Sequence, residues 1–479
     1  MSDKLIAIKS VIWTIAERAL TLAVQFVFSI LIARQLMPGE YGIVAVLTIF
    51  LTVASIFIDS GFSSALIRKM DRNQTDFSTI FFLNLFLSIA FYLVLFVSSG
   101  KIAGYFQMPE LKDVTKVIGL TLIFNSISII QITKLKIEMN FALQAKVNVV
   151  TILITSITGY ILAVNGFGVW TLVAQNVLAT AFPALFYWTF SKWKPSLVFS
   201  VKTLQEMFSF GSKLLISGLF DTLYKNFNQF ILGKYYSASV LGLYNTADSY
   251  SGMPSNIINS TAVKITYPLM VKYQNDNSIL TSYSNRIILL ISYFSIFFSV
   301  LFVVFAESIV LFLLTDKWIE LVPFLQILSV SYVFIPVYSQ FQNLFQIKGK
   351  SDVFLKVNIL SKILGFLLMI ASAYFGAIYL AISFVLATII SNSICIYYVK
   401  RIFSNANTEL YKEFLKILTI GILSGVIVFF VVELFQLLYL KLILGILIYL
   451  IIFVLISYIS NNKVFKEIIG IVKTLKSII

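Results

Sequence analysis

Ionisable residues stand inside long apolar runs of this chain, among them Glu17, Arg18, Asp221, Lys225, Asp248 and Lys362. A charge at mid-bilayer costs about 2.5–3.5 kcal/mol, so residues kept there turn toward a wet cavity or another helix rather than toward lipid. Asp221 and Lys225 are four residues apart and share one helix face, which suits either a structural ion pair or a functional one. Glu17 and Arg18 are adjacent, point in different directions and cannot simply pair with each other. Arg18, Lys225 and Lys362 would act as fixed cations, although Lys362 lies close enough to a span end to snorkel. Glu17, Asp221 and Asp248 would balance them or bind a coupling H+ or Na+. Asn226, Asn228 and Gln229 have the chemistry to hydrogen-bond sugar hydroxyls, and equally to join neighbouring helices.

Other chemistries are excluded by what is missing. The chain has no histidine and one cysteine, Cys395. It therefore has no histidine proton relay, no His-ligated zinc and no internal disulfide. Gly349-Lys350-Ser351 has the ending of a phosphate-binding loop, but the glycine required five residues earlier is Leu344. No residue pattern of a hydrolase, metalloprotease or dinucleotide enzyme occurs. The net charge of +15 lacks a basic stripe with interleaved aromatics, so nucleic acid is not an expected partner.

The elements that must position these residues follow from composition. Of 479 residues, 59% are hydrophobic and only 12% charged, with a mean hydropathy of +0.94. Such a chain cannot cover a soluble surface with polar groups, and it is too apolar for disorder. Apolar runs fall near 10–33, 43–58, 77–98, 114–133, 143–163, 167–189, 207–232, 238–263, 285–306, 321–346, 353–374, 376–399, 413–435 and 438–459. This predicts an all-α polytopic membrane protein with about fourteen spans. Lys4 and Lys9 before the first run resemble a signal peptide, but Glu17 and Arg18 interrupt it and no small-residue cleavage site follows, which predicts a retained span. With alternate loops assigned to opposite sides, 26 of the 36 Lys and Arg share a side with both termini and seven lie opposite. That asymmetry predicts a bacterial inner-membrane protein with both termini cytoplasmic. No connection exceeds roughly 20 residues, which leaves no room for a soluble catalytic domain.

The chain also repeats itself. Leu31-Ile32-Ala33-Arg34 before Gly42 matches Ile231-Leu232-Gly233-Lys234 before Gly242, an offset of 200. Residues 167–181 and 375–389 share seven identities in fifteen, and Lys146-Val147-Asn148 recurs as Lys356-Val357-Asn358. A six-span unit is even, so its second copy enters the membrane in the same direction, and two parallel six-helix lobes around a central cleft are expected. The lobes would be 1–206 and 207–404, followed by a two-helix appendage and cytoplasmic tail, 405–479.

The stretch Leu31-Ile32-Ala33-Arg34-Gln35-Leu36-Met37-Pro38-Gly39-Glu40-Tyr41-Gly42 resembles the opening of bacterial polysaccharide biosynthesis flippases of the multidrug/oligosaccharidyl-lipid/polysaccharide exporter superfamily. Asp59-Ser60-Gly61-Phe62 through Lys69, Gly242-Leu243-Tyr244 with Ala247, Tyr267-Pro268, Asp316-Lys317-Trp318 and Lys348-Gly349-Lys350 are similar to its colanic-acid-exporter-type, WzxC-like branch. The resemblance covers roughly residues 1–400. It implies export, without ATP hydrolysis, of an undecaprenyl-pyrophosphate-linked oligosaccharide such as an O-antigen, capsule or exopolysaccharide unit. Arg18, Lys225 and Lys362 would then meet the pyrophosphate. Membrane lipids, glycosyltransferases and a polysaccharide polymerase would be its partners, and it would need no cofactor beyond a coupling ion. A drug antiporter of the same superfamily is the alternative; acids outnumbering bases in its cavity would favour that reading.

Overall fold

Wherever the sequence alternates long apolar runs with short polar breaks, the chain forms helices. The structure is a computed structural model and describes the backbone of residues 3–191, 193–403 and 408–478. The basic-loop residue Lys192 and the start of the expected appendage at 405 lie outside the described residues. In chain order the helices are α1 (Asp3–Ala33), α2 (Pro38–Asp59), α3 (Phe62–Arg68), α4 (Gln74–Phe106), α5 (Leu111–Ile118), α6 (Leu120–Ile137), α7 (Phe141–Val164), α8 (Val169–Phe190) and α9 (Val201–Tyr235). They continue as α10 (Ala238–Val271), α11 (Asn277–Leu313), a 3-10 turn (Asp316–Leu321), α12 (Val322–Ile347), α13 (Ser351–Ser372), α14 (Ala377–Ile402), α15 (Thr408–Val432), α16 (Leu438–Ile459) and α17 (Lys463–Ile478). The protein is an all-α polytopic membrane protein.

Eleven of these helices, with α2–α3, α5–α6 and the 3-10 turn–α12 each taken as one, are long and apolar enough to cross a bilayer. Three further helices, α1, α9 and α10, are 31, 35 and 34 residues long. The charged and amide residues of α9 and α10 lower their hydropathy, which is why composition alone does not count these two. Among the described residues of α1, Leu20–Ala33 forms a shorter apolar helical stretch.

Local chemistry fixes the helix ends. Pro38 starts α2, and the Met37 N–H donates to Glu40 Oε2 at 2.7 Å. Asn73 and Asp76 cap α4 reciprocally, at 3.0 and 2.9 Å. Gly168 and Gly376, equivalent in the repeat, both precede a helix with positive φ, +54° and +132°, which only glycine adopts easily. Asp59, at the end of α2, accepts from the Ser63 backbone N–H at 3.3 Å and from the Ser63 hydroxyl at 2.5 Å, which ties the start of the short helix α3 to α2.

The chain divides into two compact units, 1–242 and 243–479. In the first, α7 packs along α1 and α8, while α9 packs along α2 and α3. Phe62, Leu66, Ile80, Ile130 and Trp193 close one core. In the second, α12 packs between α11 and α14, and α15 and α16 cover α11 through Tyr293, Phe297, Tyr449 and Phe453. The outward faces are the apolar ones, with Phe86, Val97 and Phe430 largely exposed, as lipid-facing helices require. Some buried serines return their hydroxyls to their own helix, as Ser292 does to the Ile288 carbonyl at 2.7 Å.

Trp193 and Trp318 lie near helix ends, where tryptophans often form an interfacial belt, but both are buried inside the protein. The Trp193 indole N–H donates to Gln74 Oε1 at 2.6 Å, a partner the lipid interface would otherwise supply.

Candidate functional site

Within the first unit, Glu17 is half-buried on α1 and accepts from Asn148 Nδ2 of α7 at 3.2 Å and from the Thr21 hydroxyl, one turn on, at 3.4 Å. Two donors thus stabilise its carboxylate without a basic partner. Neither Asn148 nor Thr21 is among the residues singled out by charge; the signal for Asn148 is the repeated Lys-Val-Asn triplet. Arg18, on the adjoining face of α1, is exposed. Glu17 also lines a half-open cavity of about 620 Å³ between α1, α7 and α8, together with Leu20, Lys146, Val150, Phe186 and Phe190.

On α9, Asp221 is half-buried and Lys225 exposed, one turn apart. Asn226 Nδ2 donates to the Thr222 carbonyl of its own helix at 2.8 Å, so one of its donors is already used. Asn228 is buried and Gln229 half-buried on the following turn. At the far end of this helix, Lys234 Nζ donates to the Tyr105 carbonyl at 2.9 Å and sits 3.8 Å from that tyrosine's ring centre. It lines a second cavity, of about 660 Å³, with Glu40, Gln107, Glu110 and Tyr236.

In the second unit, Asp248 of α10 accepts from the Tyr332 hydroxyl of α12 at 2.8 Å. The helices come together here because Gly252 leaves room for the ring: a Cβ at that position would lie 2.7 Å from Tyr332 Cζ. Ser251 and Ser255 tie the same two helices through the Leu325 and Tyr332 carbonyls, at 3.4 and 3.0 Å. Tyr332 carries no charge, so sequence reading passed over it. Lys362 is half-buried on α13.

Arg18, Lys225, Glu17, Asp221, Asn226, Asn228 and Gln229 thus belong to one unit, and Asp248 and Lys362 to the other. Among the described residues no three His, Cys, Asp or Glu side chains converge on a point that could hold a metal ion, and Cys395 is buried. The arrangement sets charges and amides on long helices, Glu17, Asn226 and Asp248 among them already hydrogen-bonded to neighbours.

Residues 31–323 match the polysaccharide biosynthesis protein family (Polysacc_synt_3). The chain belongs to that family. Among curated relatives it is 25% identical over 305 residues to the teichuronic acid biosynthesis protein TuaB of Bacillus subtilis (strain 168), a match that spans 63% of this chain and 62% of TuaB. It is 22% identical over 396 residues to the lipopolysaccharide biosynthesis protein WzxC of Escherichia coli (strain K12), spanning 81% of this chain and 79% of that one. Among solved structures, the lipid II flippase MurJ in an inward closed conformation superimposes with a TM-score of 0.76 at 16% identity, over 96% of this chain and all of that one. That likeness establishes the fold, which is the fold the sequence resemblance implied. The family and these relatives are polysaccharide biosynthesis proteins and the structural neighbour is a flippase; none of them is named for a catalytic activity.

Proposed function

We propose that this protein carries an undecaprenyl-pyrophosphate-linked oligosaccharide from the cytoplasmic to the periplasmic leaflet of a bacterial inner membrane, by alternating access. The observation that carries the reading is a polysaccharide-biosynthesis family member with eleven helices of membrane-spanning character among the described residues and with the exposed cations Arg18 and Lys225 on two further long helices. A sugar headgroup would otherwise cross about 30 Å of hydrocarbon without solvent. Fixed guanidinium and ammonium groups would replace water around the phosphates and lower that barrier.

In this reading α1, α9 and α10 also span the bilayer, for fourteen spans in all, with both termini cytoplasmic. The sequence repeat supports two parallel lobes, 1–206 and 207–404, that rock about a cationic cleft holding Arg18, Lys225 and Lys362. Glu17, Asp221 and Asp248 would balance charge or take a coupling H+ or Na+. Asn226, Asn228 and Gln229 would meet sugar hydroxyls. The glycosyltransferases that build the unit and the polymerase that joins it are the expected partners.

Deletion of the gene followed by lipid extraction tests the proposal. Lipid-linked units should accumulate facing the cytoplasm, and surface glycan should disappear. Normal surface glycan in the deletion strain would reject the reading.

A further inference from the structure

Residues 193–200, which lead from α8 into α9, invert the polarity expected of a loop. Their polar groups turn toward the protein. The Trp193 carbonyl accepts from Gln131 Nε2 of α6 at 3.1 Å, and the Lys194 carbonyl accepts from Gln74 Nε2 of α4 at 2.7 Å. The backbone N–H groups of Ser196 and Ser200 donate to Ser78 Oγ and Thr79 Oγ1 of α4, both at 3.0 Å. Thr203, in the first turn of α9, donates its hydroxyl to the buried Asp76 at 3.0 Å. The segment is thus pinned on both sides of its middle to the polar start of α4.

What the pins leave outward is apolar. Between them the Val198 N–H closes a tight turn on the Ser196 carbonyl at 2.7 Å, and Leu197, Val198 and Phe199 stand exposed, Leu197 to 94%. Phe190 at the end of α8 and Val201 at the start of α9 are exposed as well. In water such a segment would turn its serines out and its leucine in. Three consecutive large apolar side chains held outward by a fixed backbone mark a surface made for an apolar neighbour. Lys194 and Lys202 bracket them. Both are exposed and, among the described residues, neither is in an ion pair. Asp76, which holds Thr203, and Glu206, one turn beyond Lys202, are engaged by Lys69 instead, at 3.0 and 3.4 Å.

The position of the segment says what the neighbour is. α8 is long and apolar enough to span a bilayer and ends at Phe190, so the segment begins where a span leaves the hydrocarbon. Its irregular backbone cannot go deeper, because N–H and C=O groups outside a helix find no partner in lipid. Side chains can: Leu197 and Phe199 reach the upper acyl chains while the lysine stems run back to phosphate. The lysine and arginine distribution assigns this loop to the cytoplasmic side, where the leaflet is anionic.

We propose that residues 194–202 form an interfacial anchor. Leu197, Val198 and Phe199 sink into the boundary between headgroups and acyl chains of the cytoplasmic leaflet, and Lys194 and Lys202 hold the phosphates of anionic phospholipid. The anchor ties the connection between α8 and α9 to the bilayer whatever the protein carries, so it stands or falls apart from the flippase reading.

The test uses the full chain in nanodiscs. Leu197→Cys takes an NBD fluorophore selectively, because the chain's own cysteine, Cys395, is buried. Phosphatidylcholine with a doxyl group high on its acyl chain should quench the label, and iodide in the buffer should not. Doxyl-labelled phosphatidylglycerol at the same mole fraction should quench it more strongly. Lys194→Gln and Lys202→Gln should move that preference toward parity, by about fivefold for each lysine. Phe199→Cys repeats the measurement should the label at 197 disturb the turn. Quenching by iodide and not by doxyl lipid would overturn the proposal by placing the segment in water, and shielding from both would overturn it by placing protein over it. Equal quenching by the two doxyl lipids, or a preference that survives loss of both lysines, would overturn the assignment of anionic phospholipid.

Discussion

Gly42 and Gly242 meet backbone to backbone where the first turns of α2 and α10 cross. A Cβ on Gly42 would lie 1.8 Å from the Ala238 carbonyl oxygen, and one on Gly242 would lie 1.8 Å from the Pro38 carbonyl oxygen. The positions are equivalent in the repeat, so each helix start fills the space that the other's missing side chain leaves. Backbone cannot yield as a flexible side chain can. Either Gly→Ala substitution is therefore expected to cost about 3 kcal/mol or more, through forced separation of the two turns. Gly39→Ala, in the same turn but with its nearest neighbour, Ser239 N, at 3.9 Å, should cost little. Thermal unfolding of the purified variants decides the matter: a wild-type melting temperature for Gly42→Ala and Gly242→Ala would refute the close crossing.

Lys69 is the hub of a polar network outside the spans. Its Nζ lies 3.0 Å from Asp76 Oδ1 and 3.4 Å from Glu206 Oε2, and Asp76 also accepts from the Thr203 hydroxyl at 3.0 Å. Burial opposes the lysine's charge, but the hydrogen bond and charge of Asp76, and then those of Glu206, outweigh it and hold its pKa above the ordinary 10.5. A base with a raised native pKa stabilises the fold fully below its unfolded value and loses that contribution as pH rises through the native one. Asp76→Ala strips a buried acceptor from Lys69, Thr203 and the α4 cap together, and should cost about 3 kcal/mol at neutral pH. Lys69→Met should lower the melting temperature equally at pH 7 and pH 9, and the gap to wild type should close only above about pH 10.5. A gap that closes between pH 5 and 8 would assign the stabilisation to other groups.

Most of the fold could be read from the sequence because lipid leaves the backbone few choices. The expected spans at 143–163 and 167–189 are α7 and α8, each within two residues at either end. The errors lie where polar residues sit in helices. The expected 207–232 and 238–263 extend to Val201–Tyr235 and Ala238–Val271, because their flanking Lys, Asn, Ser and Thr read as loop while their backbones stay helical. The amphipathic helix α17 was taken as tail, since its apolar residues recur too sparsely to make a run, and the break between α5 and α6 inside the expected 114–133 left no mark in the apolar pattern. For the candidate site, charge pointed to Glu17 and Asp248 but was blind to Asn148 and Tyr332, the neutral partners that hold them.

Asp248 offers a way to separate structure from coupling. Its bond from Tyr332 joins α10 to α12, and an amide oxygen can accept that bond as well as a carboxylate can. Asp248→Asn should keep the wild-type melting temperature. Tyr332→Phe should lower it by about 1 kcal/mol equivalent, the usual size of one interhelical hydrogen bond. If Asp248 takes the coupling ion, as proposed, Asp248→Asn should also abolish export in a complemented deletion strain. Full surface glycan from Asp248→Asn would assign this carboxylate to helix pairing alone.

The three proposed cleft cations can be ranked by exposure. Arg18 and Lys225 are exposed and Lys362 is half-buried, so the first two are better placed to surrender their hydration to a phosphate. Single replacement by Gln keeps the side-chain length of Lys225 and Lys362 approximately and removes one charge. Each loss should slow export about tenfold, the scale of one charge-assisted contact, with the effect at Arg18 largest because a guanidinium binds phosphate through two parallel donors. Arg18→Lys should recover part of the rate but not all of it, whereas a purely structural arginine would show the same melting temperature shift for Lys and Gln. The measurement is the rate of new surface glycan after pulse labelling, corrected for membrane expression. Wild-type rates for all three Gln variants would mean that the pyrophosphate is held elsewhere.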